Sequence, residues 1–213
     1  MIKKICTDGI FYLEPLDGSD AWYWGSDRCH GDLFEAEELF RQGLPVKSNR
    51  LIFVRYPDGM VLEPVTGTDG QYFGPPLFLG GNICILLVDF KKSLIRVLQY
   101  DGYLSSIKEA ASMPLAEADD CYNLLLHGSP LMVTRQGPEN DFQMIWPDKC
   151  RFAIGDTETF CFRDGDRLYF TRWTEEPDYR EETVVRQYPD GRIIETFAGN
   201  IVNMPGGHKW LLV

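Results

Sequence analysis

Short runs of apolar, β-branched and aromatic residues alternate with compact turn signals along the whole chain. The dipeptide Asp-Gly favours tight hairpin turns because both of its residues tolerate positive φ. Strand-like runs flank several Asp-Gly turns, such as Leu51–Tyr56 before Asp58 and Thr183–Tyr188 before Asp190. The pattern therefore predicts an all-β protein with antiparallel hairpin repeats.

Related turns recur at a regular spacing along the chain. They centre on five aspartates, separated by 41, 43, 47 and 42 residues: Asp17, Asp58, Asp101, Asp148 and Asp190. A four-stranded propeller blade takes about 40–50 residues, so the spacing predicts a five-bladed β-propeller in one domain of residues 1–213. The alternative is a β-barrel or sandwich in two subdomains, 1–112 and 121–213, because the strand pattern lapses between them.

Two segments depart from the strand pattern. Asp32 followed by Glu35 is the sequence of a capping box, and apolar residues then recur at helical spacing until Gly43. This predicts one short helix. Residues 106–111 and 114–121 are the candidates for a second helical segment.

Composition and charge narrow the class of protein. The chain has 21 basic and 32 acidic residues, a net charge of −11, and 44% apolar residues. This apolar content excludes a disordered chain. The acidity argues against a nucleic-acid partner, because phosphate contacts require a clustered positive surface. No apolar run approaches the ~18–20 residues of a membrane helix, so we predict no membrane association.

The cysteines and the first residues indicate a cellular compartment. Lys3 and Lys4 are not followed by the apolar segment of a signal peptide. The six cysteines are at least 11 positions apart, and without secretion their thiols are expected to stay reduced. The sequence thus predicts a cytoplasmic protein.

The chain lacks the local motifs of common catalytic and cofactor sites. It has no Gly-Lys-Ser/Thr phosphate loop, no Gly-x-Ser-x-Gly nucleophile turn and no cysteine pair at zinc-ligand spacing. We therefore expect no cofactor and no metal ion, and the pattern favours a binding protein over an enzyme.

Two alternative functions are each suggested by one segment of the sequence. Trp22, Tyr23 and Trp24 are consecutive, so the two tryptophans share one face of a predicted strand. As an exposed pair near Asp27 they would form a carbohydrate-binding or carbohydrate-active site. The second alternative is a Cys/His-dependent hydrolase, because Cys29 and His30 lie close to Asp32 and an imidazole can activate a thiol.

The densest acidic segment lies between two predicted strands near the C-terminal end of the chain. It consists of Glu175, Glu176, Asp178, Glu181 and Glu182. Such a segment attracts a basic partner by long-range electrostatics. Our leading hypothesis is therefore a non-enzymatic, intracellular binding module that recognises a basic protein through these residues.

Overall fold

The chain folds almost entirely into antiparallel β-structure, with 49% strand and 6% helix. The computed structural model describes residues 2–102, 104–175, 177–204 and 208–213. Met1–Asp119 and Asp120–Val213 form two compact units. Within the described ranges, no helix is both long enough and apolar enough to cross a membrane.

The first unit contains two antiparallel sheets and one α-helix. The first sheet has the order β1 (Glu14–Pro15), β2 (Trp22–Ser26), β3 (Leu51–Arg55) and β4 (Val61–Leu62), with α1 (Leu33–Arg41) between β2 and β3. The second sheet is built from β5 (Gln71–Phe73), β6 (Leu77–Leu79), β7 (Asn82–Asp89), β8 (Leu94–Asp101) and β9 (Ser106–Pro114). Its strand order is β5-β7-β8-β9, and β6 also pairs with β7.

The second unit contains two four-stranded antiparallel sheets and a hairpin. The four-stranded sheets follow chain order, first β10 (Leu124–His127), β11 (Met132–Gln136), β12 (Asp141–Trp146) and β13 (Cys150–Ala153), and then β14 (Glu158–Asp164), β15 (Arg167–Thr174), β16 (Arg180–Gln187) and β17 (Ile193–Ala198). The hairpin pairs β18 (Asn200–Asn203) with β19 (Lys209–Leu212).

Each of the four larger sheets contains the up-and-down meander of a propeller blade. The prediction of an all-β, propeller-like protein is therefore confirmed, but the count of five blades is not. The turns of Asp58, Asp101, Asp148 and Asp190 each lead into the last strand of a sheet, whereas Asp17 lies between β1 and β2. The recurring turn thus marks four sheets, and the first member of the predicted series has a different position.

Two of these turns share the same backbone geometry. After β3, the Arg55 N–H donates to the Met60 carbonyl at 2.9 Å and the Gly59 N–H donates to the Arg55 carbonyl at 2.7 Å. After β16, the residues at the equivalent positions form both bonds, at 2.9 and 2.8 Å. Gly59 and Gly191 both have positive φ, +67° and +71°, which glycine adopts without a steric penalty.

The first helical prediction is confirmed, and the second is largely wrong. In α1, the Glu35 N–H donates to Asp32 Oδ1 at 3.0 Å and the Asp32 N–H donates to Glu35 Oε2 at 2.8 Å. Residues 106–114 instead form β9, because pairing with β8 along the strand outweighs the helix propensity of their Ala, Glu and Lys residues. Within 114–121, Leu115–Glu117 forms a short 3₁₀ helix.

Candidate functional site

The side chains of Cys29 and His30 both contact the backbone of Lys47. The Lys47 N–H donates to His30 Nε2 at 3.1 Å, and Cys29 Sγ donates to the Lys47 carbonyl at 3.5 Å. Burial, followed by the charge of Asp27, raises the pKa of the Cys29 thiol. A raised pKa disfavours the thiolate that a nucleophile requires. The hydrolase hypothesis stays a prediction that this geometry does not support.

The carboxylates near this loop maintain local structure. Asp32 caps α1, and Asp27 Oδ1 accepts a hydrogen bond from the Arg50 N–H at 2.9 Å. The Tyr72 hydroxyl holds the same loop, since it accepts from the His30 N–H at 3.1 Å and donates to the Gly31 carbonyl at 2.9 Å. These hydrogen bonds explain the position of the loop without a catalytic role.

Trp22 and Trp24 belong to the core of the first unit. Their exposed fractions are 9% and 8%, whereas Tyr23 on the opposite face of β2 is 37% exposed. The two rings line separate cavities, Trp24 one of about 330 Å³ and Trp22 one of about 270 Å³. They therefore do not form the exposed pair that the carbohydrate hypothesis requires, because sugar stacking needs an open ring face.

The predicted acidic segment surrounds the connection between β15 and β16 in the second unit. Glu175 and Asp178 are exposed, Glu181 and Glu182 are half-buried, and Glu176 lies outside the described residues. The end of this hairpin therefore presents carboxylates from the connection and from the start of β16.

A ladder of alternating charges fixes this end of the sheet. The strand register places Glu158, Arg172 and Glu182 side by side on β14, β15 and β16. Arg172 pairs with Glu182 at 2.7 Å and lies 3.8 Å from Glu158. Glu158 is 2% exposed and pairs with the buried Arg186 at 2.9 Å. Glu182 is therefore engaged in the sheet rather than available as an isolated acid.

Two exposed aromatic residues accompany the carboxylates. Trp173 is 44% exposed and Tyr179 is 64% exposed. Glu181 lies opposite Trp173 in the register and accepts a hydrogen bond from the Tyr179 hydroxyl at 2.6 Å, which raises the pKa of Tyr179. We name Trp173, Glu175, Asp178, Tyr179 and Glu181 the acidic–aromatic surface.

The sequence interpretation found the acids of this surface but missed its aromatic residues. A signal was present in β15, where Leu168 and Phe170 are fully buried and Trp173 falls on the opposite face by strand alternation. Applying the two-residue period to that strand would have predicted an exposed tryptophan.

Within the described part of the chain, no three His, Cys, Asp or Glu side chains are grouped closely enough to hold a metal ion. Comparison of the chain with protein-family models, curated proteins and solved structures returns no match.

Proposed function

We propose that the chain is a non-enzymatic binding module that recognises a basic protein through the acidic–aromatic surface. The exposure of Trp173 and Tyr179 among carboxylates carries this proposal. Tryptophan and tyrosine are enriched among the residues that dominate binding energy, and carboxylates around them complement Lys and Arg on a partner. In this proposal the two rings anchor the partner and the acids select its charge.

The positions of the other candidate residues favour this proposal over its alternatives. Trp22 and Trp24 line different cavities, and Cys29 and His30 line neither of those two. A catalytic or sugar site requires its groups to converge on one concave region. The carbohydrate alternative is tested by measuring whether any sugar of a panel raises the unfolding temperature. The hydrolase alternative is tested by measuring whether Cys29 is alkylated faster than the buried Cys84.

The net charge and the cysteines bear on the rate of the proposed interaction and on the compartment in which it occurs. A charge of −11 accelerates association with a basic partner, and this acceleration weakens as salt is added. None of the six cysteines, all of which the structure describes, forms a disulfide, as expected in a reducing compartment, and we propose that the interaction occurs in the cytoplasm.

Partner capture followed by affinity measurement tests the proposal. Tagged chain is used for capture from the native cytoplasm, and the affinity of the purified partner is measured at low and high salt. We expect Trp173→Ala combined with Tyr179→Ala to weaken binding at least about tenfold, since truncation of such anchors costs roughly 2 kcal/mol or more.

Trp210→Ala is the matched control, because Trp210 is a 57%-exposed tryptophan of the same unit outside the acidic–aromatic surface. It should leave the affinity unchanged. Equal loss in the control and the double variant, or a partner whose affinity does not depend on salt, would contradict the proposal.

A further inference from the structure

The cavity that Trp24 lines lies in the first unit, at the N-terminal end of α1. Its volume of about 330 Å³ falls in the range of small-ligand sites, roughly 300–1,000 Å³. Aromatic and aliphatic side chains form much of its wall: Trp24, Leu33, Leu51, Phe73 and Pro75. We name it the α1 cavity. Its wall suits an apolar body of modest size.

A small polar network also lines the α1 cavity. Asn49 is 4% exposed and donates to Ser26 Oγ at 3.2 Å and to the Phe73 carbonyl at 3.0 Å. Ser26 Oγ also accepts from the Arg28 N–H at 3.1 Å. Among the contacts of the described residues, the Ser26 hydroxyl receives these two hydrogen bonds and donates none. Its O–H is therefore available to an oxygen atom of a ligand.

Charges of opposite sign line the same cavity. Arg28 contributes a guanidinium, and Asp32 and Glu35 contribute carboxylates. Each carboxylate uses one oxygen in the capping box, and no donor to its second oxygen occurs in the described structure. Arg28 pairs with Glu14 at 2.8 Å, and within the described ranges it forms no ion pair with Asp32 or Glu35. Both signs of charge therefore line the cavity, and the pair of Arg28 with Glu14 leaves both cavity carboxylates without a cationic partner in the described structure.

We infer that the α1 cavity binds a small zwitterion with an apolar body, of the class of an aliphatic or aromatic α-amino acid. Its carboxylate would accept hydrogen bonds from Arg28 and Ser26, and its ammonium group would donate to Asp32 and Glu35. Its side chain would contact the apolar wall. A simple anion is disfavoured by the two carboxylates. A sugar is disfavoured because its hydroxyl groups would face the aliphatic residues Leu33, Leu51 and Pro75 without hydrogen-bond partners.

Calorimetric titration of the full chain tests this inference. The probes are L-leucine and L-phenylalanine, together with 4-methylpentanoate, which lacks the ammonium group of leucine, 3-methylbutylamine, which lacks its carboxylate, and glucose. We expect an amino acid to bind and both leucine analogues to bind at least about tenfold more weakly, because each loses charge-assisted hydrogen bonds.

Two variants connect the binding to the rim of the cavity. Arg28→Gln removes the guanidinium from an exposed position, and Glu35→Gln removes a charge while its amide oxygen can still accept from the Asp32 N–H. Each should weaken binding of the amino acid about tenfold. Arg96→Gln is the matched control, since Arg96 forms a surface pair with Glu109 and does not line the cavity.

Circular dichroism verifies that each variant is folded. The inference is overturned if neither amino acid binds, if the analogues bind as tightly as leucine, if glucose binds in preference, or if the rim variants behave like the Arg96→Gln control. None of these outcomes involves the acidic–aromatic surface, so the proposed function is tested separately.

Discussion

The two compact units differ in the burial of their tryptophans: both are buried in the first unit, whereas two of the three in the second are exposed and Trp146 is half-buried. Trp22 and Trp24 of the first unit are 9% and 8% exposed, whereas Trp173 and Trp210 of the second are 44% and 57% exposed. In the second unit, phenylalanines fill the core instead, with three rings at centroid distances of 4.8–5.3 Å: Phe142, Phe160 and Phe170. In the strands of this chain, an aromatic residue therefore lies in the core or on the exposed surface according to the face of the strand that it occupies, not according to its type.

The units also differ in how they bury charge. In the first unit, the buried Asp89 lies 3.9 Å from Lys92, whose side chain is 69% exposed. In the second unit, both members of the Glu158–Arg186 pair are buried, with side chains 1% and 10% exposed. Solvent can replace the partner of Asp89 but has little access to the pair of the second unit. Loss of a partner should therefore be more costly in the second unit.

The largest expected effect comes from replacing a buried tryptophan with alanine, compared with the same replacement of an exposed one. Trp24→Ala should lower the free energy of unfolding by about 3–5 kcal/mol, because it removes a buried ring and leaves a void. Trp173→Ala should change it by no more than about 0.5 kcal/mol, as expected for a surface substitution. Urea unfolding followed by circular dichroism measures both. Similar costs for the two variants would remove the contrast between the units.

The next largest effect is expected from breaking the buried pair of Glu158 and Arg186. Arg186→Met removes the close partner of Glu158 and leaves it only the more distant Arg172, at 3.8 Å. It should destabilise the fold by about 3 kcal/mol, since a buried charge that loses its close partner is strongly unfavourable. The control is Arg167→Met, which breaks an exposed pair with Glu195. It should have little effect because exposed pairs are screened by solvent. A larger loss in the control would show that burial does not determine the cost.

Local features of the fold were predictable because they depend on neighbouring residues. The turns at Asp58 and Asp190 and the capping box of Asp32 and Glu35 each lie within a few positions of sequence. Strand periodicity was equally informative, but it does not show which strands pair. The β assignment of residues 106–114 required β8 as a partner.

The candidate sites were harder to predict because they depend on register and packing. Glu158, Arg172 and Glu182 are separated in sequence and become neighbours only when β14, β15 and β16 align. The α1 cavity likewise combines Ser26 and Asn49 from segments flanking α1. The burial of Trp22 and Trp24 could not be predicted from their own strand, since it depends on the sheets that cover them.

A smaller effect should make the second unit sensitive to acid. His127 packs edge-on against Phe160 at 4.8 Å, and burial lowers its pKa from the usual 6.5 to about 4. Between these values the unfolded chain binds the proton and the folded chain does not, so stability falls as the pH decreases from about 6.5 to about 4.

His127→Leu should remove roughly 1–2 kcal/mol of this pH dependence near pH 5. Urea unfolding of both proteins from pH 4.5 to pH 8 measures it. The difference in unfolding free energy between the two proteins should be constant above pH 7. A difference that remains constant down to pH 4.5 would exclude His127 as the source of the acid sensitivity.

The smallest effect separates the structural and ligand-binding roles of one carboxylate in the first unit. Asp32→Ala removes the acceptor of the Glu35 N–H and should cost about 1 kcal/mol of unfolding free energy. Asp32→Asn keeps an acceptor at the N-cap and should be nearly neutral for stability, yet it removes the charge that the α1 cavity offers to an ammonium group. Urea unfolding should therefore distinguish the two variants, whereas leucine titration should show weakened binding in both. If Asp32→Asn lowers stability as much as Asp32→Ala, the capping geometry is not what stabilises α1. If the Asp32→Asn variant binds leucine as tightly as the unmodified chain, Asp32 does not bind the ammonium group.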